Sequence, residues 1–323
     1  MFALRFAHFT DPHLPLPPAG PGWTALLSKR LFGYLSWRRR RHRIHRPEVL
    51  AALLDDIRAR KPDHLVCTGD LANISLPAEF ERARVWLEAT AAPRDLTLVP
   101  GNHDALVPVP WVRGLGLWEP WMRGDPGTGP DGTAGGEGLF PSLRVRGAVA
   151  FIGLSSAVPT APLLATGRVG QTQLRRLEAL LQEQGAAGRY RVVLLHHPLA
   201  DGTVRARKAL TDRAAVRAVL ARAGAELVLH GHAHCARFAA LPGPLGPIPS
   251  LTAPSASAVA HGRYDAARWS LVEVRRTPDG WRTAVTVRGW EASAGAFGTL
   301  GHYDLLMPAQ TGAAGGGVAD RAA

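Results

Sequence analysis

Short apolar runs alternate with longer amphipathic segments along most of the chain. The apolar runs have the length of buried strands, and they cover residues 65–67, 96–99, 149–154, 192–195 and 227–229. Apolar residues recur at helical spacing between them, at about 47–60, 77–90, 171–184 and 212–223. This alternation predicts an α/β fold, built of layers of sheet and helix.

The remaining patterns concern the two ends of the chain. Phe2, Leu4 and Phe6 alternate as in a strand, and the opening residues lack the basic start and cleavage site of a signal peptide. We therefore expect the N-terminus to be part of the fold and the protein to be cytoplasmic. Near the other end, Pro-Asp-Gly separates two alternating runs, which predicts a β-hairpin within 266–290.

The predicted domain organisation is simple. We expect one domain over residues 1–290, interrupted by a basic amphipathic insert at 15–46 and a glycine-rich surface loop at 124–138. Residues 291–323 are expected to form a C-terminal extension that is disordered from about residue 308.

Composition narrows the class of protein. Hydrophobic residues make up 46% of the chain, and no apolar run approaches the roughly 20 residues that a bilayer span needs. Two cysteines do not make a disulfide framework. The net charge of +12 favours polyanionic partners, such as phosphorylated substrates, anionic lipid or nucleic acid, without choosing among them.

Five short polar blocks each follow an apolar run directly. They are Asp11-Pro-His13, Gly69-Asp70, Gly101-Asn102-His103-Asp104, His196-His197-Pro198 and Gly231-His232-Ala233-His234. Because sites in open α/β sheets form beyond the carboxyl ends of strands, we expect the blocks to converge on one crevice. In extended segments, the Asp11/His13 and His232/His234 pairs would each point one way. Glycines before Asp70, Asn102 and His232 fit sharp turns of the backbone.

The residue types in these blocks indicate metal chemistry. Aspartate, asparagine and histidine offer oxygen and imidazole ligands, which suit manganese, iron and zinc. Each block alone is a weak signal, because a single histidine is more often a packed or surface residue than a ligand. Five blocks together are a much stronger signal. They favour one shared site over the alternative, which is five unrelated polar loops.

The order of the five blocks resembles the calcineurin-like metallophosphoesterase superfamily, and the resemblance covers about residues 2–240. It implies a four-layer α/β/β/α sandwich of two mixed sheets that holds two divalent metal ions (Mn²⁺, Fe²⁺/Fe³⁺ or Zn²⁺). By motif position, the first ion takes Asp11, His13, Asp70 and His234. The second takes Asp70, Asn102, His196 and His232, so that Asp70 bridges the ions.

The same resemblance implies the reaction. A hydroxide that bridges the two ions attacks phosphorus, while the ions neutralise the charge on the phosphoryl oxygens. His103 is expected to stabilise the transition state or to protonate the leaving oxygen. We expect Asp104 to hydrogen-bond the imidazole of His103 and hold the ring, the alternative being a surface loop charge.

The insert at 15–46 has two main interpretations. Apolar residues from Trp23 to Leu35 recur at helical spacing, and the basic run 38–43 follows them. Such a segment can bind an anionic membrane surface through about residues 20–45, which would make the protein peripheral at the inner face of the membrane. Alternatively, its apolar face packs on this protein or on a second copy in an oligomer. Nucleic-acid binding is a weaker third interpretation.

The substrate is the least constrained feature. The motifs are similar to the bacterial cyclic-nucleotide phosphodiesterase-like branch, which favours a phosphodiesterase. The insert supports an alternative, a lipid-linked pyrophosphohydrolase similar to the UDP-diacylglucosamine hydrolases. Arg205 and Arg207 are weak candidates for substrate binding. A non-catalytic scaffold of the same fold is disfavoured, because none of the expected site residues is missing.

Overall fold

The computed structural model describes residues 2–128, 136 and 138–308. Within them, twelve strands form two six-stranded sheets. The strands are β1 (Phe2–Phe9), β2 (His64–Cys67), β3 (Leu96–Leu98), β4 (Ser142–Arg146), β5 (Val149–Gly153), β6 (Tyr190–Leu194), β7 (Leu227–His230), β8 (Arg237–Leu241), β9 (Ile248–Thr252), β10 (Arg268–Thr277), β11 (Gly280–Glu291) and β12 (Ala296–Pro308).

Both sheets mix parallel and antiparallel pairs. The first has the order β12-β11-β10-β1-β2-β3, and in it β1 pairs parallel with β2 and antiparallel with β10. The second has the order β4-β5-β6-β7-β9-β8, with a parallel core from β5 to β9. The parallel strands of each sheet end at one edge, and the polar blocks follow there.

Helices lie on the outer faces of the two sheets and in the insert. The helices are α1 (Arg30–Ser36), α2 (His42–Ile44), α3 (Pro47–Arg60), α4 (Pro77–Thr90), α5 (Glu119–Met122), α6 (Gln171–Ala186) and α7 (Arg213–Ala223). Apolar residues of α3 and α4 share one core with the first sheet, and those of α6 and α7 share another with the second. A third core, which includes Phe6 and Phe151, lies between the sheets. The predicted four-layer α/β/β/α sandwich is therefore confirmed.

The predicted strands and helices are present, but the sequence patterns did not predict several further strands, most of them at the sheet edges. The hairpin of β10 and β11 was predicted, whereas β4, β8 and β9 were not. The expectation that the C-terminal extension leaves the domain at residue 291 was wrong for 296–308, because β12 pairs antiparallel with β11 along the sheet edge. Residues 309–323 and most of the predicted loop at 124–138 lie outside the described residues.

The insert is helical, and it has two apolar faces. A 3-10 turn at Trp23–Leu26 leads into α1, and a π-helical turn at Trp37–Arg41 joins α1 to α2. One face packs on the protein: Tyr34 and Trp37 contact a small core built around Ile74 and Leu106. The other face is exposed, and its members are Trp23, Leu27, Leu31, Phe32 and Leu35. In the described part of the chain, no helix is both long and apolar enough to cross a bilayer.

Candidate metal centre

The five polar blocks meet where the parallel strands of both sheets end. Asp11 and His13 follow β1, Asp70 follows β2, and Asn102 follows β3. In the second sheet, His196 follows β6, while His232 and His234 follow β7. All seven side chains are buried or nearly so. The expected crevice at the carboxyl ends of the strands is therefore present.

The backbone at this site is strained. Asp11, His13, Asp70, His232 and His234 all have φ between 42° and 67°. Side chains other than glycine rarely adopt this left-handed region, which costs about 1 kcal/mol or more per residue. The prediction that Asp11/His13 and His232/His234 are extended pairs was therefore wrong. Left-handed turns, and not alternation along a strand, bring each pair to one point.

Two of the glycines in the motifs are required by close packing of the carboxylates. A Cβ atom at Gly101 would lie 2.2 Å from Oδ1 of Asp70, and one at Gly231 would lie 2.4 Å from Oδ2 of Asp11. Only a residue without a side chain leaves room for these carboxylates. The motif glycines thus shape the site directly.

One group of side chains surrounds the position expected for the first ion. Nε2 of His234 lies 3.0 Å from Oδ1 of Asp11 and 3.3 Å from Nε2 of His13. The donor atoms of Asp11, His13 and Asp70 all lie within 4.8 Å of one another. These distances suit donors that share one ion.

A second group lies beside the first and shares Asp70 with it. Donor atoms of Asp70, His196 and His232 lie within 4.8 Å of one another. Nε2 of His196 is 3.3 Å from Oδ2 of Asp70 and 3.3 Å from Oδ1 of Asn102. The donors are oxygen and imidazole only, so the set fits two borderline divalent ions bridged by Asp70.

Backbone carbonyls fix which nitrogen of each imidazole is available. A carbonyl can only accept, so Nδ1 of His196 donates to Thr68 (2.6 Å) and Nδ1 of His13 donates to Ala72 (3.2 Å). Both rings therefore offer Nε2 to an ion. His232 is reversed, because its Nε2 donates to the carbonyl of Lys208 at 2.8 Å and leaves Nδ1 free. Carbonyl partners of this kind orient ligand histidines in metalloproteins.

The charges of the site follow from burial and mutual contact. Burial, followed by the charge of Arg41, lowers the pKa of His13 to about 4, and burial also holds the pKa of His232 well below its usual value. Burial alone would lower the pKa of His196, but Asp70 and Asp11 raise it to about 9. Burial would raise the pKa of Asp70, but His196 and His103 lower it. Burial would also raise the pKa of Asp11, but His234 and His196 hold it well below its usual value, so both carboxylates remain ionised.

Asp104 does not hold the ring of His103, so that prediction was wrong. Its carboxylate accepts the backbone N–H groups of Asp70, Ala72 and Gly101, each at 2.8 Å. Burial, followed by the charge of Asp70, raises the pKa of Asp104 to about 7. The ring of His103 is instead held by the carbonyl of Asn73, which accepts from Nδ1 at 2.6 Å. Asp104 therefore braces the two ligand loops, and His103 presents Nε2 to the pocket.

The insert contributes two residues that the sequence did not identify as site residues. The guanidinium of Arg41 lies 3.0 Å from the ring of His13 and 3.2 Å from the ring of His103. The buried ring of His45 is 4.4 Å from that of His13, and its Nδ1 lies 3.1 Å from the hydroxyls of Ser255 and Ser257. A donor atom of His45 lies within 4.8 Å of donors of His13 and His234. The available signal for Arg41 was its place in the basic run 38–43, and His45 follows four residues later, beyond the end of that run.

Two adjoining cavities open onto the site. The first, of about 260 Å³, combines Asp70, Asn102 and His103 with an apolar wall from the insert and the 163–165 loop. Lys29 ties these two segments together by donating to Oγ1 of Thr160 (2.6 Å) and to the carbonyl of Leu164 (2.9 Å). The second cavity, of about 280 Å³, is lined by Arg205, whereas Arg207 is exposed and is absent from the described lining of both cavities.

Sequence comparison shows which known proteins this chain is similar to. A family model described as calcineurin-like phosphoesterase matches residues 4–236. A curated protein from Synechococcus, a probable cyclic nucleotide phosphodiesterase, is 39% identical over 54 residues. That match covers 17% of this chain and only 20% of the relative.

Solved structures share the fold at low sequence identity. A dimetal phosphatase from Danio rerio matches with a TM-score of 0.56 and 15% identity, over 93% of this chain and 99% of that one. A purple acid phosphatase from yellow lupin seeds matches with a TM-score of 0.50 and 12% identity, over 94% of this chain and 53% of that one. These matches support the two-sheet architecture.

Proposed function

The chain belongs to the calcineurin-like phosphoesterase family, and on that premise we propose that it is a binuclear metal-dependent phosphodiesterase. The observation that carries the proposal is the position of Asp70 between two groups of donors, one on each side. Five residues of the donor set have left-handed backbone, which lowers the stability of the fold, and such strain is characteristic of functional sites. A non-catalytic scaffold would gain nothing from keeping these strained donors.

The proposed ligand assignment follows the geometry. Asp11, His13, Asp70 and His234 hold the first ion, with His45 at the edge of this set. Asp70, Asn102, His196 and His232 hold the second. Because Asn102 is neutral, the site keeps more positive charge than a carboxylate would leave, which favours a phosphate anion. When bound, a pair of ions such as Mn²⁺, Fe or Zn²⁺ activates water and neutralises developing charge.

The residues of the chain position the substrate and complete the reaction. His103 is fixed through its backbone N–H to Asp70 (2.7 Å) and through Nδ1 to Asn73, so Nε2 is the ring nitrogen turned to the cavity, and it acts on a phosphoryl or leaving oxygen when it carries a proton. Arg41 reaches the same point from the insert, and its guanidinium can donate to a phosphoryl oxygen in a charge-assisted hydrogen bond. His103 and Arg41 thus act on the substrate, opposite the metal ligands.

A panel of substrates tests this proposal. The purified protein, supplied with manganese, should hydrolyse bis(p-nitrophenyl) phosphate faster than p-nitrophenyl phosphate, and Asp70→Asn should abolish both activities. Cyclic nucleotides and a lipid-linked pyrophosphate, measured alongside, identify the preferred diester. Absence of hydrolysis with every divalent metal would rule out the proposed enzyme.

A second candidate is a lipid-linked pyrophosphohydrolase at the membrane surface. Trp23 and Leu27 on the insert are 75% and 78% exposed, and Leu163 on the neighbouring loop is 69% exposed. Phe32, Leu163 and Leu164 also line the first cavity, so apolar surface continues from the outside of the protein towards the site. Exposed Arg38, Arg39 and Arg40 follow on the same segment. This combination favours the anionic inner face of a membrane, which would place the protein in the cytoplasm.

A further inference from the structure

We propose that the second cavity is a binding site for an additional phosphate group of the substrate, so that the preferred substrates carry two linked phosphates, as in a pyrophosphate diester. This inference rests on the proposed function, because the cavity adjoins the proposed metal centre. It concerns cationic side chains that play no part in holding the ions. The cavity is lined by Arg205, Lys208, Arg237 and Arg263 together with Tyr264 and His232.

This cavity is surrounded by positively charged side chains. Four of its lining residues are cationic, and the described residues that line it include no carboxylate. Like charges gathered around one cavity repel each other, and an anion bound among them relieves that repulsion. Arginine forks match the oxygens of a phosphate, and three arginines can hold a group with several negative charges.

Tyr264 shares the lining of this cavity with the four cations. The guanidinium of Arg263 also lies 5.4 Å from the centre of the Tyr264 ring. The ring of Tyr264 thus contacts one of the arginines that line the cavity.

The position of the cavity identifies which phosphate it would take. His232, Lys208 and Tyr264 line both cavities, so the two spaces meet beside a proposed ligand of the second ion. Direct contacts make the link: the carbonyl of Lys208 accepts from the ring of His232, and the ring of Tyr264 packs 5.8 Å from that of His234. A phosphate held at the metals would therefore lie beside the junction of the two cavities, where Lys208 lines both. A linked second phosphate has the charge and the short reach to occupy that place.

Competition experiments on the metal-loaded full chain test this inference. Inorganic pyrophosphate and inorganic phosphate are compared as inhibitors of bis(p-nitrophenyl) phosphate hydrolysis at one fixed concentration of free manganese. The test variant is Arg237→Gln/Arg263→Gln. The control is Arg82→Gln/Arg113→Gln, which removes the same charge from exposed positions that line neither cavity. Pyrophosphate binding is also followed by calorimetry, which does not depend on turnover.

The outcomes separate this inference from the proposed function. We expect the test variant to weaken pyrophosphate binding at least about tenfold more than phosphate binding, since each lost charge-assisted contact is worth about that factor. The control should change neither. Equal weakening of both ligands, or none, would overturn the second phosphate site even if the enzyme is active. If the wild type hydrolyses nothing yet binds pyrophosphate through Arg237 and Arg263, the proposed function fails while the anion site stands.

Discussion

The guanidinium of Arg41 lies 3.2 Å from the ring of His103, although 61 residues separate them in the chain. Nδ1 of His103 donates to the carbonyl of Asn73, so Nε2 is the nitrogen that can accept from Arg41. The insert therefore reaches the residue expected to act on the leaving group. The insert thus forms a wall of the first cavity and also part of the protein surface.

Replacing Arg41 should impair catalysis selectively. We expect Arg41→Gln to lower kcat/KM for a phosphodiester about 10- to 100-fold, because a charge-assisted hydrogen bond to the substrate is lost. The variant should mainly have a lower kcat if Arg41 stabilises the transition state, and mainly a higher KM if Arg41 only binds substrate. Arg39→Gln removes an exposed charge from the same turn and should have full activity. An Arg41 variant as active as the Arg39 variant would exclude this role.

Metal binding should strengthen with pH. Because Asp70 and Asp11 raise the pKa of His196 to about 9, the ring is protonated at pH 7 and a bound ion must displace its proton. Below that pKa the proton competes, so between pH 6 and 8 the manganese affinity should rise about tenfold per pH unit. Calorimetry in two buffers with different heats of ionisation measures the released proton. Affinity that is independent of pH, with no proton release, would contradict this assignment.

The exposed face of the insert should determine membrane binding. We expect a Trp23→Ser/Leu27→Ser/Leu163→Ser variant to lose co-sedimentation with anionic vesicles, because apolar burial supplies much of the binding energy. All three side chains are exposed, so folding should not suffer. The control replaces the exposed residues Val85, Val112 and Leu306 with serine. Equal sedimentation of the two variants would remove the membrane interpretation.

A buried ion pair should stabilise the second sheet. Arg191 is 1% exposed, and its guanidinium makes a two-point contact with Glu226 while also donating to carbonyls of Leu181 and Ala223. Glu226→Ala leaves that charge uncompensated, and it should lower the free energy of unfolding by about 3 kcal/mol. Glu178→Ala breaks a solvent-exposed pair with Arg222 and should cost below about 1 kcal/mol. Urea denaturation compares the two, and similar costs would contradict the argument.

Much of this architecture could be predicted from the sequence because local signals agree with the fold. Buried parallel strands such as β6 and β7 are nearly all apolar, and each metal motif directly follows one of them. The edge strand β12 could not be predicted in this way. Its residues alternate irregularly and are mostly exposed, so its pairing with β11 determines its structure.

The site was predictable in its residue types but not in its contacts. Spacing identified Asp104 as a neighbour of His103, yet the fold turns its carboxylate towards the backbone of Asp70, Ala72 and Gly101. Arg41 lies in the basic run 38–43 and His45 just beyond it, and neither belongs to a motif. Contacts of the insert with other parts of the chain, such as its packing against Ile74 and Leu106, bring this segment over the candidate metal centre.

A titration of activity against manganese distinguishes a two-ion centre from a one-ion centre. Metal-free protein is supplied with increasing equivalents of Mn²⁺ while bis(p-nitrophenyl) phosphate hydrolysis and bound metal per chain are measured together. We expect hydrolysis to stay low at one ion per chain and to rise as the second ion binds. We also expect Asp70→Asn, which weakens the shared ligand, to stay inactive throughout. Full activity at one ion per chain, or activity that survives Asp70→Asn, would contradict a centre bridged by Asp70.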